Sequence, residues 1–327
     1  MIWALAFAAV ALAFVWVTGV NDGAALLGMS GRYPRSSGPL FLALLLVPLV
    51  LVPQLSGGAV ARTFTEGLTD LGDRRGAFAF LLGVAVALVL VAVLSRRGLP
   101  TSLTLAIVGG IGGAGLGMGM DVAWAGLALV LVVGAAAPLL GMSIGYALGV
   151  VSRRVPSFAA MSGAMRVAHI LAYGAQCAAY AANDGQKMLA VVSVARQVVS
   201  TRRIGAVGPV QPTPILLIAI ALVFCAGALS AVHRVGDRLG RGLVLARPMH
   251  VVSAETAAAS SVAASSLVGV PVSMTQSVTA GVVGVAASEG ASRVRWQNVL
   301  GIGAAWLFTL PLAFTAGALG GLTGRAL

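Results

Sequence analysis

Charge is what this sequence has least of. Only 9% of its 327 residues are Asp, Glu, Lys or Arg, where a soluble domain carries about 25%. A chain so poor in charge cannot clothe a water-facing surface, and no hydrophilic segment is long enough to form a separate soluble domain. Acidic residues are the scarcest, 9 against 21 basic ones, leaving a formal charge of +12. Aromatics make up only 6% and no aromatic-studded basic stripe occurs, which argues against nucleic-acid binding. Cys177 and Cys225 both lie in apolar stretches and give no disulfide framework. His169, His233 and His250 are scattered, without transition-metal spacing. No base, nucleophile or metal cluster points to an enzyme.

What is present is apolar sequence. Hydrophobic residues make up 59%, mean hydropathy is +0.99, and runs of about 20 apolar residues recur from end to end. The chain reads as an all-α polytopic membrane protein. The basic residues cluster between runs: Arg32/Arg35, Arg74/Arg75, Arg96/Arg97, Arg153/Arg154, Arg202/Arg203 and Arg234/Arg238/Arg241. An outside N-terminus places Arg32/Arg35, Arg74/Arg75, Arg153/Arg154 and the stretch to Arg247 in the cytoplasm. It leaves Arg96/Arg97 and Arg202/Arg203 outside, against the positive-inside tendency. The first run lacks a basic leading segment and is expected to be a retained transmembrane helix rather than a signal peptide.

That run, Ile2 to Val20, ends on Gly19-Val20-Asn21-Asp22-Gly23-Ala24-Ala25-Leu26-Leu27-Gly28. The sequence therefore puts a carboxylate at membrane depth, at a cost of about 2.5–3.5 kcal/mol on insertion scales. About half a chain length later, Ala181-Ala182-Asn183-Asp184-Gly185-Gln186-Lys187 follows another apolar run. One Asn-Asp-Gly is an ordinary turn, whereas two at membrane depth ask for a function. Gly, Asn and Asp continue a helix poorly, so both helices are expected to break here.

A second pair of motifs lies downstream. Pro100-Thr101-Ser102-Leu103-Thr104 leads into the Gly-rich run 107–115, and Pro271-Val272-Ser273-Met274-Thr275-Gln276 leads into 281–284. The first run is too short and Gly-rich to cross comfortably, so a re-entrant pair of half-helices is expected, covered by protein. Between the motifs, Arg62 and Glu66 read as an i,i+4 pair. The plan of the first half replays in the second. The expected organisation is two inverted-topology repeats, 1–155 and 167–327, each with a broken helix and a re-entrant hairpin, around a short basic linker at 156–166.

The four motifs together resemble the inorganic phosphate transporter (PiT) family of cation-coupled symporters, over essentially the whole chain. The family's Gly-x-Asn-Asp-x-Ala-Asn-x-x-Gly matches residues 19–28, with Ala25 at its second Asn. Its His-Gly-x-Asn-Asp-x-Gln-Lys matches Asn183, Asp184, Gln186 and Lys187, with Tyr180-Ala181 at the His-Gly. Its Pro-x-Ser-Thr-Thr-His appears in both hairpins, with Leu103 and Met274 at the middle Thr and Leu105 and Gln276 at the His. The family's acidic residue before the second hairpin matches Glu255, while its first-half counterpart falls near Leu49.

The resemblance implies transport of inorganic phosphate, coupled to sodium or to a proton, by a homodimer in the cell membrane. It implies substrate contacts from Asp22, Ser102, Thr104, Asp184, Gln186, Ser273 and Thr275. It implies a cation held by Asn21, Asp22, Asn183, Asp184 and Glu255 with unwound carbonyls. The residue chemistry agrees: hydroxyls and helix N-termini hold an anion without the permanent clamp an arginine would make. A carboxylate also accepts a hydrogen bond from protonated phosphate, which sulfate at neutral pH cannot offer. Lys187, one turn beyond Asp184, is placed either for an ion pair or for substrate contact. The alternatives are transport of sulfate or another tetrahedral oxyanion, and a non-transporting membrane component or an enzyme on a lipid phosphate.

Overall fold

The computed structural model describes residues 2–31, 37–68, 71, 74–96, 101–154, 161–201, 211–242 and 248–325. Arg32, Arg35, Arg97, Pro100, Arg202, Arg203 and Arg247, named above, lie outside them. Among the described residues there are helices and no strands.

The first half runs α1 (Ile2–Thr18), a π-helical turn (Gly19–Gly23) and α2 (Ala24–Ser30). Then come α3 (Gly38–Leu55), the short α4 (Ala59–Glu66), α5 (Arg74–Arg96), α6 (Leu103–Gly117) and α7 (Trp124–Ser152). The second half begins with α8 (Met161–Tyr180), a second π turn (Ala181–Gly185) and α9 (Gln186–Thr201). It continues with α10 (Pro214–Gly242), α11 (Pro248–Leu267), α12 (Met274–Ser288) and α13 (Trp296–Gly324). Except for α4, each element recurs in the same order. Helix α8 starts at Met161, so part of the stretch expected as linker is already helix.

Among the described residues six helical stretches are long and apolar enough to cross a membrane, and Leu5, Val132, Leu229 and Leu307 turn large apolar side chains outward. The chain is a multi-pass membrane protein. Helices α7 and α13, at 29 residues each, are about 43 Å long, whereas the 15 residues of α6 and of α12 reach only about 22 Å. A hydrocarbon core about 30 Å thick is beyond the shorter pair. They can sit at membrane depth because protein surrounds them. Helix α6 packs on α5 and on α13 of the other half; α12 packs on α11 and on α7 of the other half.

Close backbone approach makes that burial possible. A Cβ at Gly113 of α6 would run into the Phe314 carbonyl of α13, and one at Gly284 of α12 into the Met142 carbonyl of α7. Small residues at such crossings let helices associate without water to drive them. This corrects the expectation of two half-helices inside the Gly-rich run. The run is a single helix, and the hairpins are α5–α6 and α11–α12. Arg62 does not pair with Glu66 either; its guanidinium donates to the Gly57 carbonyl at 2.8 Å, across the αL turn that starts α4.

Both Asn-Asp motifs interrupt their helices more gently than an unwound break. The Ala24 N–H reaches back to the Gly19 carbonyl, so the backbone widens by one residue and continues. The first π turn packs on α10 and the second on α3, each lodged against the opposite half.

Candidate functional site

The two hairpin tips meet at the second π turn. At the first tip, Ser102 is the extended N-cap of α6 (φ −99°, ψ 109°) and its hydroxyl accepts from the Leu105 N–H at 3.3 Å. At the second, Ser273 is the N-cap of α12 with nearly the same backbone (φ −98°, ψ 119°). Its hydroxyl bonds Thr275 at 2.9 Å instead of a backbone amide. Two helix N-termini, each with amides left over from the helix ladder, thus sit at the tips.

Lys187 joins them. Its ammonium donates to Asp184 Oδ1 at 2.7 Å, to Thr104 Oγ1 at 2.7 Å and to the Val272 carbonyl. Those are all three donors a lysine has. Thr104 also donates to the Val272 carbonyl at 3.1 Å, so one cluster binds the second π turn, the first tip and the second tip. Lys187 and Asp184 are only 3% and 5% exposed. The buried ammonium is tolerated at this depth because its three hydrogen bonds are made.

Asn183 fastens the second tip. Its Nδ2 donates to Ser266 Oγ at 3.1 Å and to the Val270 carbonyl at 3.4 Å, and its Oδ1 accepts from the Val272 N–H at 3.2 Å. In the first half, Asn21 Nδ2 donates to its neighbour Asp22 Oδ1 at 2.8 Å. Asp22 is buried and within electrostatic reach of Asp184 and Lys187, so both carboxylates belong to one site.

Three buried polar atoms at this site have no hydrogen-bond partner: Asp184 Oδ2, the Tyr180 hydroxyl and the Thr101 hydroxyl. Tyr180 immediately precedes the second π turn and lies within electrostatic reach of Asp22 and Asp184. Thr101 neighbours the cap of α6. An unmet buried polar group costs about 1–3 kcal/mol, and three of them together suit a site that completes its bonds on a ligand. One carboxylate oxygen can accept from a protonated oxyanion or hold a cation; two hydroxyls can donate to an anion.

Two residues expected here are engaged elsewhere. The amide of Gln186 accepts from the Ala61 N–H at 3.1 Å and donates to Ser56 Oγ at 2.8 Å, which ties α9 to α4. Glu255, within α11, meets His169 Nδ1 at 2.8 Å, and both are buried. The sequence left the role of Lys187 open and did not single out Tyr180, Thr101 or the Val272 carbonyl. Tyr180 stood at the displaced His of its motif and Thr101 inside the Pro-Thr-Ser-Leu-Thr motif, so both had a local signal. The His169–Glu255 pair had only the weaker sign of two ionisable residues within apolar helices. Among the described residues no group of His, Cys, Asp and Glu is arranged to hold a metal ion.

Residues 40–162 and 157–317 match the model of the phosphate transporter family. A probable low-affinity inorganic phosphate transporter of Mycobacterium bovis is 31% identical over 320 residues, covering 94% of this chain and 74% of the relative. One of Rhizobium meliloti is 28% identical over 329 residues, covering 95% and 93%. Among solved structures, the sodium-dependent phosphate transporter superposes with a TM-score of 0.82 at 16% identity, over 100% of both chains. That likeness is one of fold. With its hairpins, its paired Asn-Asp turns and a family match over most of its length, the chain belongs to the phosphate transporter family, whose members are transporters and not enzymes.

Proposed function

We propose that the chain is a symporter that carries inorganic phosphate across the plasma membrane with a coupled cation, sodium before proton, by alternating access. The observation that carries this reading is the set of unmet buried groups, Asp184 Oδ2 with the Tyr180 and Thr101 hydroxyls, where two serine-capped helix N-termini converge. Phosphate lies between the tips of α6 and α12. Ser102, Ser273 and Thr275 and the free amides of the first turns face its oxygens, Thr104 braces the two tips through the Val272 carbonyl and Lys187, and the anion's own proton is donated to Asp184. That proton favours phosphate over sulfate. Gln186 holds α4 against α9 and supports the site from behind.

The cation sits at Asp22 with the Asn21 side-chain oxygen. Among the described residues no cationic side chain is within ion-pair distance of Asp22, so a mobile cation supplies the missing charge. Sodium is preferred because a solved protein of this fold is named for sodium dependence. The two halves are inverted repeats. The same order of elements in both halves, with each short hairpin helix packed against the 29-residue helix of the opposite half, supports this reading. Rocking one half against the other exposes the site alternately. A homodimer belongs to the same reading.

Radiolabelled phosphate uptake into proteoliposomes, with and without an inward sodium gradient, tests it. Wild-type uptake is expected to depend on sodium. Asp22→Asn should lower it roughly tenfold to a hundredfold, the worth of about 1.5–3 kcal/mol for a charge-assisted contact. Uptake driven by a pH gradient alone would replace the ion; sulfate flux without phosphate flux would replace the substrate.

A further inference from the structure

We infer that Lys187 is a built-in coupling cation: its ammonium fills a monovalent-cation position in the second half, so the chain uses one fewer free cation than its two Asn-Asp turns would otherwise take. This rests on the cation-coupled reading above. The ammonium is surrounded by a carboxylate oxygen of Asp184, a hydroxyl of Thr104 and the main-chain carbonyl of Val272. These are the hard oxygen donors that hold alkali ions at interrupted membrane helices. They come from three separate elements and converge on one point.

The first half shows what the position is like without a lysine. Both π turns span five residues and carry Asn-Asp-Gly in the same places, so the residue matching Lys187 is Ala25. Thr104 corresponds to Thr275 and Val272 to Thr101 within their hairpin motifs. The matching carboxylate (Asp22), hydroxyl (Thr275, on the hairpin of the other half, as Thr104 is for Lys187) and carbonyl (Thr101) are therefore all present in the sequence, and the ammonium alone is missing. A methyl group occupies its place in the sequence, and Ala25 is buried. One half needs a cation from solution; the other carries its own on a side chain.

A tethered cation is not released with the cargo. It keeps the Asp184 side neutral through the cycle and lowers the number of cations that move per phosphate. Its removal should open a site where none was available.

Equilibrium binding of radioactive sodium to the purified full-length protein in detergent reads this directly. Lys187→Met, which keeps the length of the chain and removes the charge, is expected to bind one more sodium ion per chain than the wild type. Adding Asp184→Asn to it should remove that ion again. Equal counts for wild type and Lys187→Met overturn the inference. Should Lys187→Met fail to fold, Asp184→Asn in the wild-type background decides: an unchanged sodium count agrees with an internally neutralised carboxylate, and loss of an ion overturns it. Phosphate uptake by the wild type is read separately. A gained sodium site in a protein that moves no phosphate would sink the proposed function and leave Lys187 as a cation surrogate. Sodium-driven phosphate uptake with equal counts would do the reverse.

Discussion

The two Asn-Asp turns share a backbone and differ in almost everything attached to it. The first is wedged against α10, with Gly19 and Gly23 pressed onto Phe224 and Ala228; its Asn21 bonds only the adjacent Asp22, and its carboxylate has no tethered cation. The second meets α3 more loosely, with Leu49 and Pro53 near Gly185; its Asn183 holds a hairpin tip, and its carboxylate is neutralised by Lys187. The repeated fold supplies a pair of turns, and on the proposed reading a few side chains make one a docking point for a solution ion and the other a fixed joint. Removing either Asp should therefore do different things, and the uptake and sodium-binding experiments above are the sharpest ways to break this division.

Next in size comes packing. A Cβ on Gly19 would strike the Phe224 carbonyl and approach the Ala228 amide nitrogen at 3.0 Å, and backbone cannot swing aside as a side chain can. Gly19→Ala is expected to destabilise by about 1–3 kcal/mol, the usual cost of overpacking. At Gly185 the same atom would meet the Leu49 and Pro53 side chains at 3.4 Å, an ordinary contact. Gly185→Ala should be neutral or gain up to about 1 kcal/mol from reduced unfolded-state entropy. Thermal melts in detergent compare them; equal losses would mean that the turns are seated alike.

This asymmetry also marks what could be read from the sequence. Asn-Asp-Gly after an apolar run is a local signal, and so is Pro-x-Ser-x-Thr before a Gly-rich run. Both pointed to the site, and the long apolar runs pointed to the spans. The interruption was legible but its form was not. Asn-Asp-Gly has the propensity of a break, yet contacts with α10 and α3 keep each turn helical, as tertiary packing commonly overrides propensity. The Gly-rich run misled in the same way: glycines that weaken an isolated helix let α6 approach α13. Contacts across the halves were beyond reach, since Lys187 meets Thr104 and Val272 from opposite directions along the chain. Gln186 and Glu255 belong here too, because their partners at Ser56, Ala61 and His169 lie far off in sequence.

The two asparagines should differ by a smaller margin. Asn183→Ala strips buried partners from the Val272 amide and from Ser266 and Val270, at about 1–3 kcal/mol for groups left unmet. It should also loosen the second tip and reduce phosphate uptake at saturating sodium. Asn21→Ala removes one bond to a neighbour on a partly exposed side chain. Its stability should change by less than about 1 kcal/mol, while the sodium concentration needed for half-maximal uptake rises. Melting curves and sodium titrations of uptake separate these outcomes, and a shift in sodium dependence for Asn183→Ala alone would reverse the assignment of the two turns.

The serine caps give the finest contrast. Ser102 accepts a backbone N–H in the first turn of α6, so Ser102→Ala should cost about 1 kcal/mol of stability, as N-cap removal does. Ser273 occupies the same backbone position but turns its hydroxyl to Thr275, leaving the first-turn amides of α12 uncapped by it. Ser273→Ala should therefore barely change stability and should instead weaken phosphate, because it removes a hydroxyl not engaged in holding the helix. The expected pattern is a lower melting temperature for Ser102→Ala and a higher half-saturating phosphate concentration for Ser273→Ala. If both alanines lowered only the melting temperature, the hydroxyls would be structural and the anion would be held by the amides of α6 and α12, as two opposed helix N-termini can do unaided.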